Sequence, residues 1–148
     1  MIPRATFWLG GLTGALALIP LLAWTFSAFA APLGIAEAAP AWDLLLLAAV
    51  FTGLPALLSS GGVARLVAHR TAERSGGFAA GLARAAVPMA AIGAGAALIL
   101  CVTQMGTPET PLGWAIAAAA GVPAGLVAGV AVALVAVARQ RRFAVVTA

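Results

Sequence analysis

The sequence predicts an all-α integral membrane protein: four transmembrane helices, with the N and C termini both cytoplasmic. Three observations predict it. The 148 residues hold four apolar runs, at 5–31, 44–60, 85–105 and 112–138, and each is long enough to cross a hydrocarbon core of about 30 Å. The formally charged residues lie on the flanks of those runs and are sorted by side. Arg4, then Arg65, Arg70, Arg74 and Arg84, then Arg139, Arg141 and Arg142 alternate with Glu37, Asp43 and Glu109, and only Glu73 sits among the arginines. Arginine-rich flanks stay cytoplasmic, which sets the orientation. With 64% hydrophobic and 8% charged residues, the chain has the composition of a lipid-embedded domain and not of a soluble globule.

The first run follows Arg4 and carries Trp8 at its inner end. Ala28-Phe29-Ala30 imitates a signal-peptidase site, but the run far exceeds a signal core of roughly 7–15 residues, so it reads as a span. Two prolines, Pro32 and Pro40, then mark an outer turn. The second run starts beside Trp42, an interfacial anchor, and leads into the one sizeable polar segment, at about 63–84. There Arg65, His69 and Glu73 recur every four residues, as do Arg70 and Arg74, which predicts that the second helix continues past the membrane surface until Gly76-Gly77 breaks it. Phe78, Leu82 and Arg84 read as an interfacial lead into the third run. Pro108 and Pro111 mark the second outer turn, and Trp114 anchors the start of the fourth run. Trp24, at greater depth, is expected to pack inside.

Shifting the sequence by 68 residues superposes Pro20 on Pro88, Pro40 on Pro108 and Pro55 on Pro123, along with Gly53 on Gly121 and Gly61 on Gly129. Self-similarity of this kind marks an internal repeat. The chain is therefore expected to be one domain, 1–148, built from two tandem helical hairpins at about 5–70 and 78–142. Both begin on the same side, so they form a pseudo-twofold parallel repeat. Each predicted helix carries one proline, Pro20, Pro55, Pro88 or Pro123, where a backbone donor is lost and a kink is permitted.

The strongest local motif is a ridge of small residues on the fourth helix: Ala117, Gly121, Gly125, Gly129 and Ala133, each four apart. Missing side chains let a neighbouring helix approach closely, where lipid removes the hydrophobic drive for association. Gly10 and Gly14 form a shorter ridge on the first helix. Matching depths suggest that it packs on Gly125 and Gly129 of the fourth, although an oligomer or partner interface would use the same residues.

Chemistry has little to work with. A calculated pI near 11.5 suggests nucleic acid, but eight arginines spread between spans fit insertion and anionic headgroups better. Cys101 and His69 are the sole residues of their types, so no disulfide within the chain and no cysteine–histidine metal site is expected. Span hydroxyls are expected to bond a carbonyl one turn back, with Ser59-Ser60-Gly61-Gly62 and Thr103-Gln104 as the polar spots that stand out. No catalytic, cofactor or metal residues are therefore assigned, and the chain reads as no enzyme.

The reading that fits best is a small accessory or scaffold subunit of the inner membrane, with the Ala-, Arg- and Gly-rich composition pointing to a bacterial source. Its partners would be membrane lipids and larger membrane-protein chains, and Arg65, His69, Arg70, Arg74 and Arg84 would form a basic surface toward lipid or partner. A homo-oligomeric channel or transporter is the alternative, and a lipid- or quinone-binding protein a weaker one. In length, span number and paired-helix layout the chain resembles small proteobacterial efflux proteins. That resemblance implies export, but the intramembrane Glu of that family has no counterpart here, and proton coupling would lack its titratable group.

Overall fold

Residues 4–30, 41–73 and 77–146 are described by the structure, a computed structural model, and they form four helices. These are α1 (Arg4–Ala30), α2 (Ala41–Glu73), α3 (Phe78–Met105) and α4 (Pro111–Val146). All four are long and apolar enough to cross a membrane. The expected positions of Glu37 and Arg74, and the first outer turn, lie outside the described residues.

The helices overrun the apolar runs at one end. At about 1.5 Å per residue, the 33 residues of α2 extend about 50 Å and the 36 of α4 about 54 Å, well beyond the hydrocarbon thickness. The continuation of the second helix through Arg65 and Arg70 is thus present. Phe78, Leu82 and Arg84 lie in the first turns of α3, which runs without a break into the third apolar run.

Boundary chemistry is visible at the turn between α3 and α4. α3 stops at Gly106, whose φ of 81° is a conformation that residues with a side chain rarely adopt. α4 then starts with Thr110 as N-cap: the backbone N–H of Gly113 donates to Thr110 Oγ1 at 3.2 Å, and Pro111 occupies the first helical position, where it needs no donor.

Antiparallel hairpins form the bundle. α3 packs most extensively on α4 and α1 on α2, α4 also lies along α1, and α1 and α3 barely meet. The core is small-residue rich, with Ala48, Ala64, Ala97, Ala128 and Ala136 fully covered around larger fillers Leu18, Leu22, Met89 and Leu100. The outside is apolar as well. Leu16, Leu46, Val50, Leu54 and Leu112 are exposed, as expected of side chains solvated by lipid. Trp24 departs from its expected packed position: it is 71% exposed, on the face of α1 opposite Leu22 and Phe26, so its depth places it in lipid contact and not in the core. Trp8, Trp42 and Trp114 are also exposed.

Candidate functional site

The α4 ridge meets α3. A methyl group at Gly121 would overlap the carbonyl of Gly93, one at Gly93 would overlap the carbonyl oxygen of Gly121, and one at Gly125 would strike the carbonyl oxygen of Met89. Backbone therefore lies on backbone, an approach that brings Cα–H groups toward carbonyl oxygens and gains dispersion contacts along both helices. Gly129 faces Met89 and Ala85, and the flanking Ala117 and Ala133 are buried.

The first-helix ridge meets α2 and not, as its depth suggested, Gly125 and Gly129. A methyl group at Gly10 would collide with the Cβ of Ala64, and one at Gly14 with Ser60. At Gly11 it would lie 2.6 Å from the Leu57 carbonyl oxygen, and at Gly61 2.8 Å from that of Phe7. The close approaches lie between α1 and α2 and between α3 and α4, so each small-residue face is taken by its hairpin neighbour. α4 still reaches this junction through Val132, 3.0 Å from a methyl group placed on Gly14.

Three seam glycines escaped the sequence reading, Gly61 because it stood only in the repeat and in the polar Ser59-Ser60-Gly61-Gly62 spot. Gly11 is adjacent to Gly10, off the four-residue spacing. Gly93 belongs to a row, Ala85, Met89, Gly93 and Ala97, that does keep that spacing but is masked by the large Met89.

Hydroxyls inside the bundle behave largely as expected. Thr25 donates to Leu22 O, Thr52 to Ala48 O and Thr103 to Ile99 O. Ser60 is the exception: it is fully buried where α1, α2 and α4 meet, and its Oγ has no hydrogen-bond partner. An unsatisfied buried hydroxyl costs about 1–3 kcal/mol, although rotation toward the Ala56 carbonyl would recover part of that. The Ser60→Ala variant keeps the Cβ that packs on Gly14 and removes the orphan oxygen. Thermal unfolding in detergent should therefore show unchanged or higher stability, and a loss beyond about 1 kcal/mol would mean that the hydroxyl has a partner.

The same pairings sort charge along the bundle. Gly10 beside Ala64, and Gly81 beside Thr71 and Val137, bring the starts of α1 and α3 to the ends of α2 and α4. Arg4, Arg65, Arg70, Arg84, Arg139, Arg141 and Arg142 consequently share one end, and Asp43 and Glu109 the other. At the arginine-bearing end, α2 and α4 are tied together. Thr71 Oγ1 lies 2.8 Å from Val67 O and 2.5 Å from Gln140 Oε1. The hydroxyl has one proton, so both contacts are satisfied when it donates to Val67 O and the Gln140 amide, turned over, donates its N–H to Oγ1.

Of the expected basic surface, Arg65, His69 and Arg70 are exposed and Arg84 is half-buried with its Nη1 covered and without an acceptor. Arg84 lies about two turns inside α3, within its candidate span, so the charge sorting has one member at greater depth than its sequence flank suggested. The prolines lie within continuous helices, with Pro20, Pro55 and Pro123 exposed and Pro88 half-buried. They therefore face outward, and the carbonyls of Leu16, Phe51, Arg84 and Ala119 lack their helical donor. No three His, Cys, Asp or Glu side chains converge among the described residues. What this arrangement can do is hold helices at fixed spacing and present a cationic end. No protein-family model matches the chain, and no curated protein or solved structure matches it.

Proposed function

We propose that the chain is a non-catalytic subunit of the inner membrane that packs against larger membrane proteins and positions them. The observation that carries this reading is the pair of backbone-to-backbone seams, Gly93 with Gly121 and Gly125, and Gly11 with Leu57 beside Gly61 and Phe7. Such contacts make a stiff element whose outer faces are left for others. The interior supports it too. Apart from the buried thiol of Cys101, the buried polar residues among those described are the hydroxyls of Thr6, Thr25, Thr52, Ser60 and Thr71, none of which titrates in the physiological range. A coupled transporter or an enzyme would need a group that does.

The basic end is read as cytoplasmic, with both termini there, because arginine-rich flanks resist translocation. The tandem repeat belongs to the same reading. Its support is the proline coincidence and a partial match of the seams: a 68-residue shift places Gly125 on Leu57 and Gly129 on Gly61, both seam positions, whereas it places Gly93 on Thr25.

Extraction of the tagged full chain together with its surrounding bilayer, followed by mass analysis of the intact particle, tests the function. Distinct larger membrane proteins in fixed ratio are expected. Particles holding only copies of this chain around a water-filled path would replace the scaffold by the channel reading.

A further inference from the structure

Three seams of the bundle are close and one is loose. α2 and α3 follow each other in sequence, yet they pack together far less extensively than α1 on α2, α3 on α4 or α1 on α4. Gly81, which lies 3.5 Å from Val67 and 3.8 Å from Thr71 for a methyl group placed on it, marks the side of α3 that faces α2. At 100° per residue, Arg84, Pro88, Ala91 and Gly95 fall within about 60° of arc beside that side, and on α2 Leu66 and Arg70 fall beside Val67. Val137 against Gly81 and Val132 beside Ser60 place α4 behind this seam, so these two stripes flank its lipid-facing opening.

The stripe on α3 is partly open, with Arg84, Pro88 and Gly95 half-buried. A methyl group on Gly95 would meet nothing within 4 Å, Ala91 is exposed, and Leu66 on the opposite wall is 48% exposed. At its basic end the groove begins with Arg84, about level with Leu66 and about 6 Å deeper than Arg70. A guanidinium is always charged, and Arg84 is half-buried, with its Nη1 covered by protein and without an acceptor. Holding that charge at this depth is costly, and the counter-ion that a membrane supplies there is a headgroup phosphate, which can take the N–H bonds of Nε and Nη2 together without reaching Nη1. Pro88 adds a feature beside it: the Arg84 carbonyl has no helical donor and keeps a free acceptor site.

We propose that the α2–α3 groove binds one glycerophospholipid, with its phosphate on Arg84 and Arg70 and an acyl chain along Pro88, Ala91 and Gly95. The site requires that the bundle spans a bilayer but does not depend on the scaffold reading, since the lipid would bind the isolated chain as well as a complex. Nonpolar area without a charge would not select a headgroup, and exposed arginines without a groove would bind a diffuse lipid atmosphere. The combination specifies one bound molecule.

Native mass spectrometry of the full chain, released from detergent doped with phosphatidylglycerol or with diacylglycerol of the same chains, tests this. Wild type is expected to retain one phosphatidylglycerol and little diacylglycerol. Arg84→Gln should cut retention about tenfold, the worth of one charge-assisted bidentate contact, while Arg84→Lys retains more than Arg84→Gln. Gly95→Leu, placed in open space, should displace the acyl chain with the charge intact and the fold unaltered by circular dichroism. Inorganic phosphate at millimolar concentration is expected to leave the lipid in place. Equal retention of the two lipids, unchanged retention in both Arg84→Gln and Gly95→Leu, or displacement by phosphate alone would overturn the proposal.

Discussion

Replacing Gly121 with Val separates α3 from α4. The new Cβ would overlap a backbone carbonyl, that of Gly93, and no rotamer change relieves a clash with backbone. The only relief is to move the helices apart, which opens the contacts of Gly93, Gly125 and Met89 together. Overpacking a close core costs about 1–3 kcal/mol, and a clash of this kind belongs at or above the upper end. β-branching adds a smaller helix penalty. Denaturant titration in mixed micelles should show loss of the folded state or a midpoint shift of that size. The Gly62→Ala and Gly95→Ala variants are the controls: at both sites a methyl group would meet nothing within 4 Å, so unchanged or slightly greater stability is expected. Equal behaviour of Gly121→Val and Gly62→Ala would mean that the α3–α4 seam is not close.

The Gly11→Val variant acts on the other hairpin in the same way. Its Cβ would sit 2.6 Å from the Leu57 carbonyl oxygen and 3.5 Å from the Gly61 Cα, again against backbone. Loss of about 1–3 kcal/mol is expected. The close contacts of Gly11 and of Gly121 share no residue, so the effects of Gly11→Val and Gly121→Val should add to within about 0.5 kcal/mol. A double variant no worse than either single one would mean that the hairpins open as one unit.

Why the helices form was legible in the sequence, since run length and the arginine flanks both depend on local composition. The close-contact role of the α4 glycines was legible for the same reason: four-residue spacing puts them on one face whatever covers it. Their partner was not. Gly10 and Gly14 were matched to Gly125 and Gly129 by expected depth, but depth does not specify azimuth: Ala64 and Ser60 reach Gly10 and Gly14, and α4 comes to Gly14 with Val132. Trp24 failed for a related reason, because an aromatic residue at mid-span is as compatible with lipid as with a core, and only the rotation of α1 separates the two. The orphan hydroxyl of Ser60 and the covered Nη1 of Arg84 depend on neighbours from other helices, which no local pattern encodes.

Everything inferred about function depends on the bundle crossing a bilayer with its basic end in the cytoplasm. Both ends carry an exposed residue suited to a probe, Glu109 at the acidic end and Arg142 at the basic one. In a Cys101→Ala background, the Glu109→Cys and Arg142→Cys variants are treated in intact cells with a membrane-impermeant maleimide. The account predicts rapid labelling of the Glu109→Cys variant, and labelling of the Arg142→Cys variant only after the membrane is permeabilised. Labelling of the Arg142→Cys variant from outside, or of both variants alike, would contradict it.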